Sequence, residues 1–404
     1  MRPSWVLLLL LAANLIAERR VIFPPGVKPV GPYSPGILAG DFLYVSGQGA
    51  RTPDGRMPAT FEDQARQCLE NIKSIVELAG LTMDHVVYTQ VYLDNGSSFD
   101  EMNRIFAGYF PAHPPARSTV GVHHLPTDTP IEINAVAVRD LAQKKIIVPA
   151  GEDQPQFLSP GVLAGDRLYI SGSTRVGRSA ALPEDPAEQV EAALKRFHQI
   201  LQAAGMDFAN VVFVNPYLTH AMPTEVMNRV YAKHFEFGNT PARATIEMSW
   251  LPYGANVSFT GVAIRDLPKR RAVRPKNMPP SPTASPCVFA GDTFYCSAKS
   301  GFIPGANGGI WAESVENQVR QTMRNLLDGL EEAGLDFSHV VASNVYLVNL
   351  GEFGNMNGVY AKYFGPAPPA RTTISPLAPI ERKPDALGHS PMLEQISIIA
   401  VTEK

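Results

Sequence analysis

The chain has 404 residues, 45% of them hydrophobic, and a formal net charge of -3 at pH 7. This length predicts two to four globular domains. The slightly acidic balance gives no overall attraction to nucleic acid or to an anionic membrane, so neither is expected as a partner.

The N-terminus carries a hydrophobic segment. Arg2 precedes an apolar run from Trp5 to Ile16, and charged residues follow at 18–20. The run is short for a membrane span and is typical of a secretory signal peptide. We therefore predict a leader over residues 1–20, export to the periplasm or the medium, and no stable membrane span after its removal. An uncleaved anchor is the alternative, because Leu15 stands where a small residue is preferred before the cleavage site.

The chain after the leader begins with a predicted β-hairpin. Extended segments at 36–39 and 42–48 flank Gly40-Asp41, and glycine at the first central position suits a type II′ turn. Apolar spacing and β-branched runs then predict a helix from Phe61 to Ala79, a strand at 85–93, a helix at 98–110 and strands near 116–124 and 131–139. The order β-β-α-β-α-β-β indicates an α+β domain, with helices on one face of a four- or five-stranded sheet.

The same landmarks return twice at intervals of about 126 residues, which is the size of a domain. They are the proline-alanine-arginine triplets at Arg117, Arg243 and Arg371, the Gly-Asp turns at Gly40, Gly165 and Gly291, and the helix asparagines Asn103, Asn228 and Asn357. We predict three tandem domains at 21–141, 142–273 and 274–404. Proline-rich linkers are expected at 142–155 and 274–286, and the third copy carries an insertion near 381–391.

Three cysteines are too few for a disulfide framework. Cys68 falls on an apolar helix face and is predicted to lie in the core. Cys287 and Cys296 are equally distant from the turn at Gly291-Asp292, so counting outward from that turn makes them direct cross-strand neighbours. We predict an optional disulfide between them.

The repeated arginine has two open interpretations. Arg117 and Thr119 share one face of their predicted strand, and Glu132 lies on the polar face of the closing strand. Aligned by their alternation, the later copies carry Ser258 and Gln395 in place of Glu132. The arginine is either an ion-pair partner within the fold or a planar clamp for the carboxylate of a substrate.

Five spaced motifs suggest a family. They are GPYSPG at Gly31, YVSGQ at Tyr44, EMNRIFAGYF at Glu101, PPARSTV at Pro114 and IEINAVAV at Ile131. Together they resemble the RidA (YjgF) reactive-intermediate deaminase family along the whole first copy, and the later copies resemble it more loosely. The resemblance implies a chorismate-mutase-like fold that trimerises with ligand clefts between subunits, so that one chain would form a monomeric pseudotrimer. It also implies hydrolysis of 2-imino and enamino acids to 2-oxo acids and ammonia, without metal or organic cofactor.

The resemblance also assigns roles to residues. It implies that Arg117 holds the carboxylate of a small substrate, that Glu132 activates a water molecule, and that Tyr33 assists catalysis. The implied substrate-binding residues are Ser46, Asn103, Thr119, Arg243 and Arg371. The tyrosine is replaced by leucine at 158 and alanine at 284, and the glutamate is also missing from the later copies. We therefore expect one complete cleft, whose arginine can come from any copy.

Other functions remain open. A non-catalytic ligand-binding or scaffold protein is the main alternative, while ribonuclease activity, sometimes ascribed to the family, is disfavoured by the acidic chain. His123 and His124 should point to opposite faces of a strand and do not form a metal site. Ser297 with Lys299 suggests a serine-lysine pair, although the lysine does not recur in the other copies.

Overall fold

The computed structural model describes residues 19–153, 156–174, 181–276, 278–305, 308–379 and 388–402. Nearly all of the predicted leader and most of the predicted insertion at 381–391 lie outside these ranges. Within them, no helix is long and apolar enough to cross a membrane.

The first copy contains the predicted elements in the predicted order. They are β1 (Arg20–Ile22), β2 (Gly36–Ala39), β3 (Phe42–Gly49), α1 (Phe61–Leu78), β4 (Val86–Leu93), α2 (Phe99–Tyr109), β5 (Ala116–Gly121) and β6 (Ile131–Val138). The sheet order is β1-β2-β3-β6-β4-β5, and only the β4–β5 pair is parallel. The α+β class is confirmed, and β1 adds an edge strand that the sequence pattern did not predict.

The second and third copies repeat this arrangement. The second contains β7 (Lys144–Ile147), β8 (Gly161–Ala164), β9 (Arg167–Ser173), α3 (Pro186–Ala203), β10 (Val211–Leu218), α4 (Thr224–Tyr231), β11 (Ala242–Arg243), β12 (Ile246–Glu247) and β13 (Val257–Ile264). The third contains β14 (Arg270–Val273), β15 (Cys287–Ala290), β16 (Thr293–Lys299), a separate hairpin of β17 (Phe302–Ile303) and β18 (Ile310–Trp311), α5 (Val315–Glu332), β19 (Val340–Leu347), α6 (Phe353–Tyr360), β20 (Ala370–Ile374) and β21 (Glu394–Val401).

Two of the joints between copies are themselves strands. β7 lies inside the predicted linker at 142–155 and pairs with β8. β14 lies before the predicted boundary at 273 but pairs with β15, so the third sheet begins at Arg270. These short strands have too few residues to show a period of their own, and they form because each following hairpin offers an unpaired edge.

Local chemistry explains the element ends. The side chain of Thr60 accepts a hydrogen bond from the backbone N–H of Asp63 and caps α1, whose first turn carries acidic residues as the helix dipole favours. Each hairpin glycine has a positive φ, at 53° for Gly40 and 62° for both Gly165 and Gly291. The aspartate after it has no positive φ, which agrees with the type II′ expectation.

Each copy buries one core between its helices and the outer face of its sheet. The three copies also share two further cores. Each copy gives an equivalent tyrosine to both of them, Tyr44, Tyr169 and Tyr295 to one and Tyr92, Tyr217 and Tyr346 to the other. Because these cores are shared by all three copies, the chain is an intrachain pseudotrimer.

Equivalent hydrogen bonds close the ring of copies. In each, the backbone N–H of the repeated arginine donates to a serine hydroxyl of the next copy at 2.8 Å: Arg117 to Ser171, Arg243 to Ser297, and Arg371 to Ser46. Each serine hydroxyl in turn donates to a backbone carbonyl of its own copy at 2.6 Å, at Ser159, Ser285 and Ser34 respectively. The proline-alanine-arginine triplet thus lies at the packing interface between one copy and the next.

The predicted disulfide is present. Cys287 and Cys296 are direct partners in the β15–β16 ladder, with Cα atoms 4.0 Å apart, and their sulfurs are bonded. Cys68 is a free, buried cysteine in the core beneath α1, as expected.

Candidate functional site

A cavity of about 360 Å³ lies between the first and third copies. The first copy contributes Tyr33 and Glu132 to its wall, and the third contributes Phe353, Arg371 and Thr373. We call this cavity the Arg371 cleft. Its volume is within the usual range for small-molecule sites.

Arg371 is held by packing, and part of its hydrogen-bonding capacity is unused. It is 4% exposed, and its guanidinium carbon lies 5.0 Å from the ring centre of Tyr360 and 5.5 Å from those of Tyr33 and Phe353. Among the described residues its buried Nη1 has no hydrogen-bond partner. Burial lowers the pKa of this guanidinium. A cation packed among aromatic rings with a free donor is suited to bind a carboxylate.

Glu132 projects from β6 into the same cavity. It is 5% exposed, and burial raises its pKa to about 8, with the charge of Arg371 acting in the opposite direction. The carboxylate lies against the backbone of Gly47, where a Cβ atom would collide with it. A side chain at position 47 is therefore incompatible with this placement of Glu132.

Tyr33 comes from the segment before β2, which crosses the interface and lies over Arg371. A Cβ on Gly31 would lie 2.6 Å from Nη2 of Arg371, so this glycine permits the close approach of the two copies. Burial raises the pKa of the Tyr33 phenol, and the Glu132 carboxylate raises it further. Asn357, on α6, presents a buried Oδ1 that accepts no hydrogen bond within the described residues.

Two loops that the sequence analysis did not assign to the site complete the cavity. Arg51 donates to the carbonyl of Thr127 from Nε and Nη2, at 3.1 and 2.8 Å, and both residues line the cavity. Thr127 and Asp128 have φ values of 63° and 56°, an uncommon backbone conformation for residues other than glycine. Their only sequence signal was a proline at 126 among turn-forming residues.

Ser46, which was predicted to bind substrate, is engaged in the contact between the first and third copies. Its hydroxyl accepts from the backbone of Arg371 and donates to the carbonyl of Ser34, at 2.8 and 2.6 Å. It is 1% exposed and is absent from the described wall of the cavity. The hydroxyl therefore fastens two copies together, and its donor and acceptor are both engaged.

Arg117 lies at a different interface from Glu132. It belongs to the edge strand β5, which packs on β9 of the second copy. Glu132 belongs to β6, whose neighbour β3 packs on β20 of the third copy. Asn103 and Thr119, also predicted to bind substrate, remain with Arg117. Their counterparts in the third copy are Asn357 and Thr373, of which Thr373 lines the cavity.

The Arg117 side chain packs against aromatic rings from two copies. Its guanidinium carbon lies 4.7 Å from the ring of Phe106 and 5.2 Å from that of Phe157, which belongs to the second copy. Its Nη2 donates to Oδ1 of Asn103, and its Nη1 lies 3.7 Å from the sulfur of Met102. The position of Tyr33 is taken here by leucine at 158, and that of Glu132 by serine at 258.

Arg243 lies at the third interface, between the second and third copies. Its Nη1 donates to Oδ1 of Asn228 at 2.7 Å, and its guanidinium carbon lies 5.2 Å from the ring of Tyr231. The glutamate position is held by Gln395. Strand register confirms this alignment, because residues 132, 258 and 395 face the equivalent tyrosines at 92, 217 and 346.

The family model described as Endoribonuclease L-PSP matches the chain three times, at residues 25–139, 153–265 and 277–378. The chain belongs to this family. A RutC family protein of Pyrococcus horikoshii is 42% identical over 125 residues, covering 30% of this chain and 99% of the relative. The 2-iminobutanoate/2-iminopropanoate deaminase of Escherichia coli K12 is 42% identical over 114 residues, covering 27% and 89%. The crystal structure of the YjgF gene product from E. coli is 39% identical, with a TM-score of 0.29, covering 30% and 99%.

The resemblance to the RidA family is therefore confirmed, with three tandem Endoribonuclease L-PSP copies in one chain. This family includes 2-imino acid deaminases. Within the described ranges, the copies bring arginine, tyrosine and glutamate together only at the Arg371 cleft. The same ranges contain no group of three or more histidine, cysteine, aspartate or glutamate residues placed to hold a metal ion.

Proposed function

We propose that the Arg371 cleft hydrolyses small 2-imino and enamino acids to 2-oxo acids and ammonia. The observation that carries this proposal is the meeting of Arg371, Glu132 and Tyr33 around one cavity at the interface of two copies. The name of the E. coli relative, a 2-iminobutanoate/2-iminopropanoate deaminase, supports the same substrate class for this chain.

Arg371 would bind the substrate carboxylate. Its guanidinium is already fixed by packing, so little conformational entropy is lost when a planar anion pairs with it. Each charge-assisted hydrogen bond contributes about 1.5–3 kcal/mol. A carboxylate bound in this way would leave the adjacent C=N carbon in the cavity that Glu132 also lines.

Glu132 would move the protons. Water adds across the C=N bond, with its hydroxyl going to carbon and its proton passing through Glu132 to nitrogen. The resulting 2-amino-2-hydroxy acid then breaks its C–N bond. Its hydroxyl proton passes through Glu132 to the departing nitrogen, which leaves as ammonia, and the C–O bond becomes the carbonyl of the 2-oxo acid. A pKa of about 8 suits a group that both accepts and returns a proton near neutral pH. An enamino acid first becomes the imine by gaining a proton on carbon and losing one from nitrogen.

The test is ammonia release from freshly generated 2-iminobutanoate by the full chain, compared with buffer and with Glu132→Gln. We expect acceleration by the wild type and a loss of at least 100-fold in the variant, in line with removal of a general acid–base group. A wild-type chain that binds 2-oxobutanoate but does not accelerate ammonia release would support the non-catalytic alternative and overturn the proposal.

We also propose that the protein acts outside the cytoplasm as a single chain. The apolar leader supports export, and so does the Cys287–Cys296 disulfide, because such bonds persist in oxidising compartments. The closed ring of copies supports the monomer, since no further copy is needed to build a cleft. N-terminal analysis of secreted or periplasmic protein, and a light-scattering mass equal to one chain, are the expected results. Retention of the full leader in the cytosol, or a trimeric mass, would contradict them.

A further inference from the structure

The interface of the second and third copies holds an arginine with free hydrogen-bonding capacity. Arg243 is half-buried, and among the described residues only its Nη1 makes a side-chain hydrogen bond, to Asn228. Its Nε and Nη2 donate to no group in the described ranges. An arginine desolvated in this way, without an acidic partner, favours the binding of an anion.

A lysine peculiar to the third copy belongs to the same interface. Lys299 is the third-copy equivalent of Gln48 in the first copy. Lys299 pairs with Ile396 and Gln48 pairs with Ile133, in each case directly after a shift in the strand register. Gln48 lines the Arg371 cleft, so from the pseudo-threefold arrangement we infer that Lys299 lies at the corresponding position of the interface that contains Arg243. Ser297, two residues earlier, makes the direct contact with the backbone of Arg243.

Lys299 also has no partner in the part of the chain that the structure describes. It is half-buried, makes no hydrogen bond, and forms no ion pair within 4 Å. Burial lowers the pKa of its ammonium group, and the carboxylate of Asp328 on α5 opposes this effect. Asp328 is itself paired with Arg324 at 2.8 Å. The interface therefore contains two desolvated cations, and neither makes a direct contact with an acidic side chain of the described residues.

The interface lacks the proton-transfer group of the Arg371 cleft. Gln395 stands where the first copy has Glu132, and Ala298 stands where it has Gly47. Because a Cβ at position 47 collides with the Glu132 carboxylate, Ala298 would also exclude a glutamate placed in the same way. This interface is thus equipped to bind an anion without deaminating it.

We propose that the Arg243–Lys299 interface binds a small dicarboxylate, with one carboxylate on Arg243 and the other on Lys299. Arginine alone recognises a single carboxylate, and the second cation adds selection for a second acidic group. The inference does not depend on catalysis at the Arg371 cleft.

The test compares binding of glutarate and of propionate to the full chain by calorimetry, for the wild type and for Lys299→Gln. The variant restores the residue of the first copy, and its thermal melt reports whether it is folded. We expect glutarate affinity to fall about tenfold or more in Lys299→Gln, with propionate affinity and deaminase activity unchanged.

A second measurement locates the ligand directly. Acetic anhydride labelling with peptide mass spectrometry should show glutarate, but not propionate, protecting Lys299 from acetylation. The proposal is overturned if glutarate does not bind the wild type, if Lys299→Gln binds it equally well, or if Lys299 labelling is unaffected by glutarate.

Discussion

Replacing Arg371 by lysine separates the three interfaces, because Arg117 and Arg243 occupy equivalent positions and serve as matched controls. Lysine keeps the positive charge but loses the planar pair of donors. Arg371 lines the cavity with Glu132, whereas the guanidinium of Arg117 packs against two phenylalanine rings at another interface. The deaminase activity should therefore respond to one substitution only.

The expected size follows from the hydrogen bonds at the guanidinium. Loss of one charge-assisted bond of about 1.5–3 kcal/mol corresponds to a decrease in kcat/KM of roughly 10- to 150-fold for Arg371→Lys. Arg117→Lys and Arg243→Lys should remain within about threefold of the wild type, because neither guanidinium contributes to the described wall of the Arg371 cleft.

The assay is initial-rate ammonia release from 2-iminobutanoate after subtraction of the buffer rate, with thermal unfolding of each variant as the folding control. Because the arginines are at least partly buried, a variant is compared only where its melt matches the wild type. An equal loss of activity in Arg117→Lys and Arg371→Lys would refute the assignment of the cleft. So would an unchanged rate in Arg371→Lys.

Other perturbations give separate expectations. If Glu132 is the base, kcat/KM of the wild type should rise about tenfold per pH unit below pH 8 and level off above it. Glu132→Gln should not show this rise of kcat/KM with pH. A wild-type profile that is flat from pH 6 to 9 would contradict the role of Glu132. Gly47→Ala should displace the Glu132 carboxylate and lower activity at least tenfold, whereas the control Ala298→Gly should not lower activity. Full activity of Gly47→Ala would show that activity does not require the carboxylate to lie against the backbone at position 47. Glu394 is fully buried in the third core, with a hydrogen bond from Thr322, and burial raises its pKa from 4.5 to about 8. The stability that the neutral carboxyl contributes is therefore fully present below pH 4.5 and is lost as pH rises through about 8, so the wild type should lose about 3.5 kcal/mol relative to Glu394→Gln between pH 5 and 8 in denaturant unfolding. If the unfolding free energies of the wild type and of Glu394→Gln change with pH in the same way, the raised pKa of Glu394 is not the cause.

Much of the fold was predictable because its signals are local. The apolar spacing of α1 and its glycine stop, the Gly-Asp hairpins, and the equal distances of Cys287 and Cys296 from their turn all operate within about twenty residues. The threefold recurrence of these signals made the tandem architecture evident. Short edge strands such as β1, β7 and β14 were missed, because three or four residues carry no measurable period and pair only when a neighbouring edge is available.

The sequence by itself determined which residues the site can contain, since Tyr33 and Glu132 each occur in one copy only. Tertiary structure decided which arginine they meet and which polar groups are already engaged. Ser46 and Arg371 are 325 residues apart and touch only because the ring of copies closes, and the hydroxyl of Ser46 is consumed by that closure. Pairing between copies depends on which sheet edges pack together, a long-range property that no local pattern in the chain encodes.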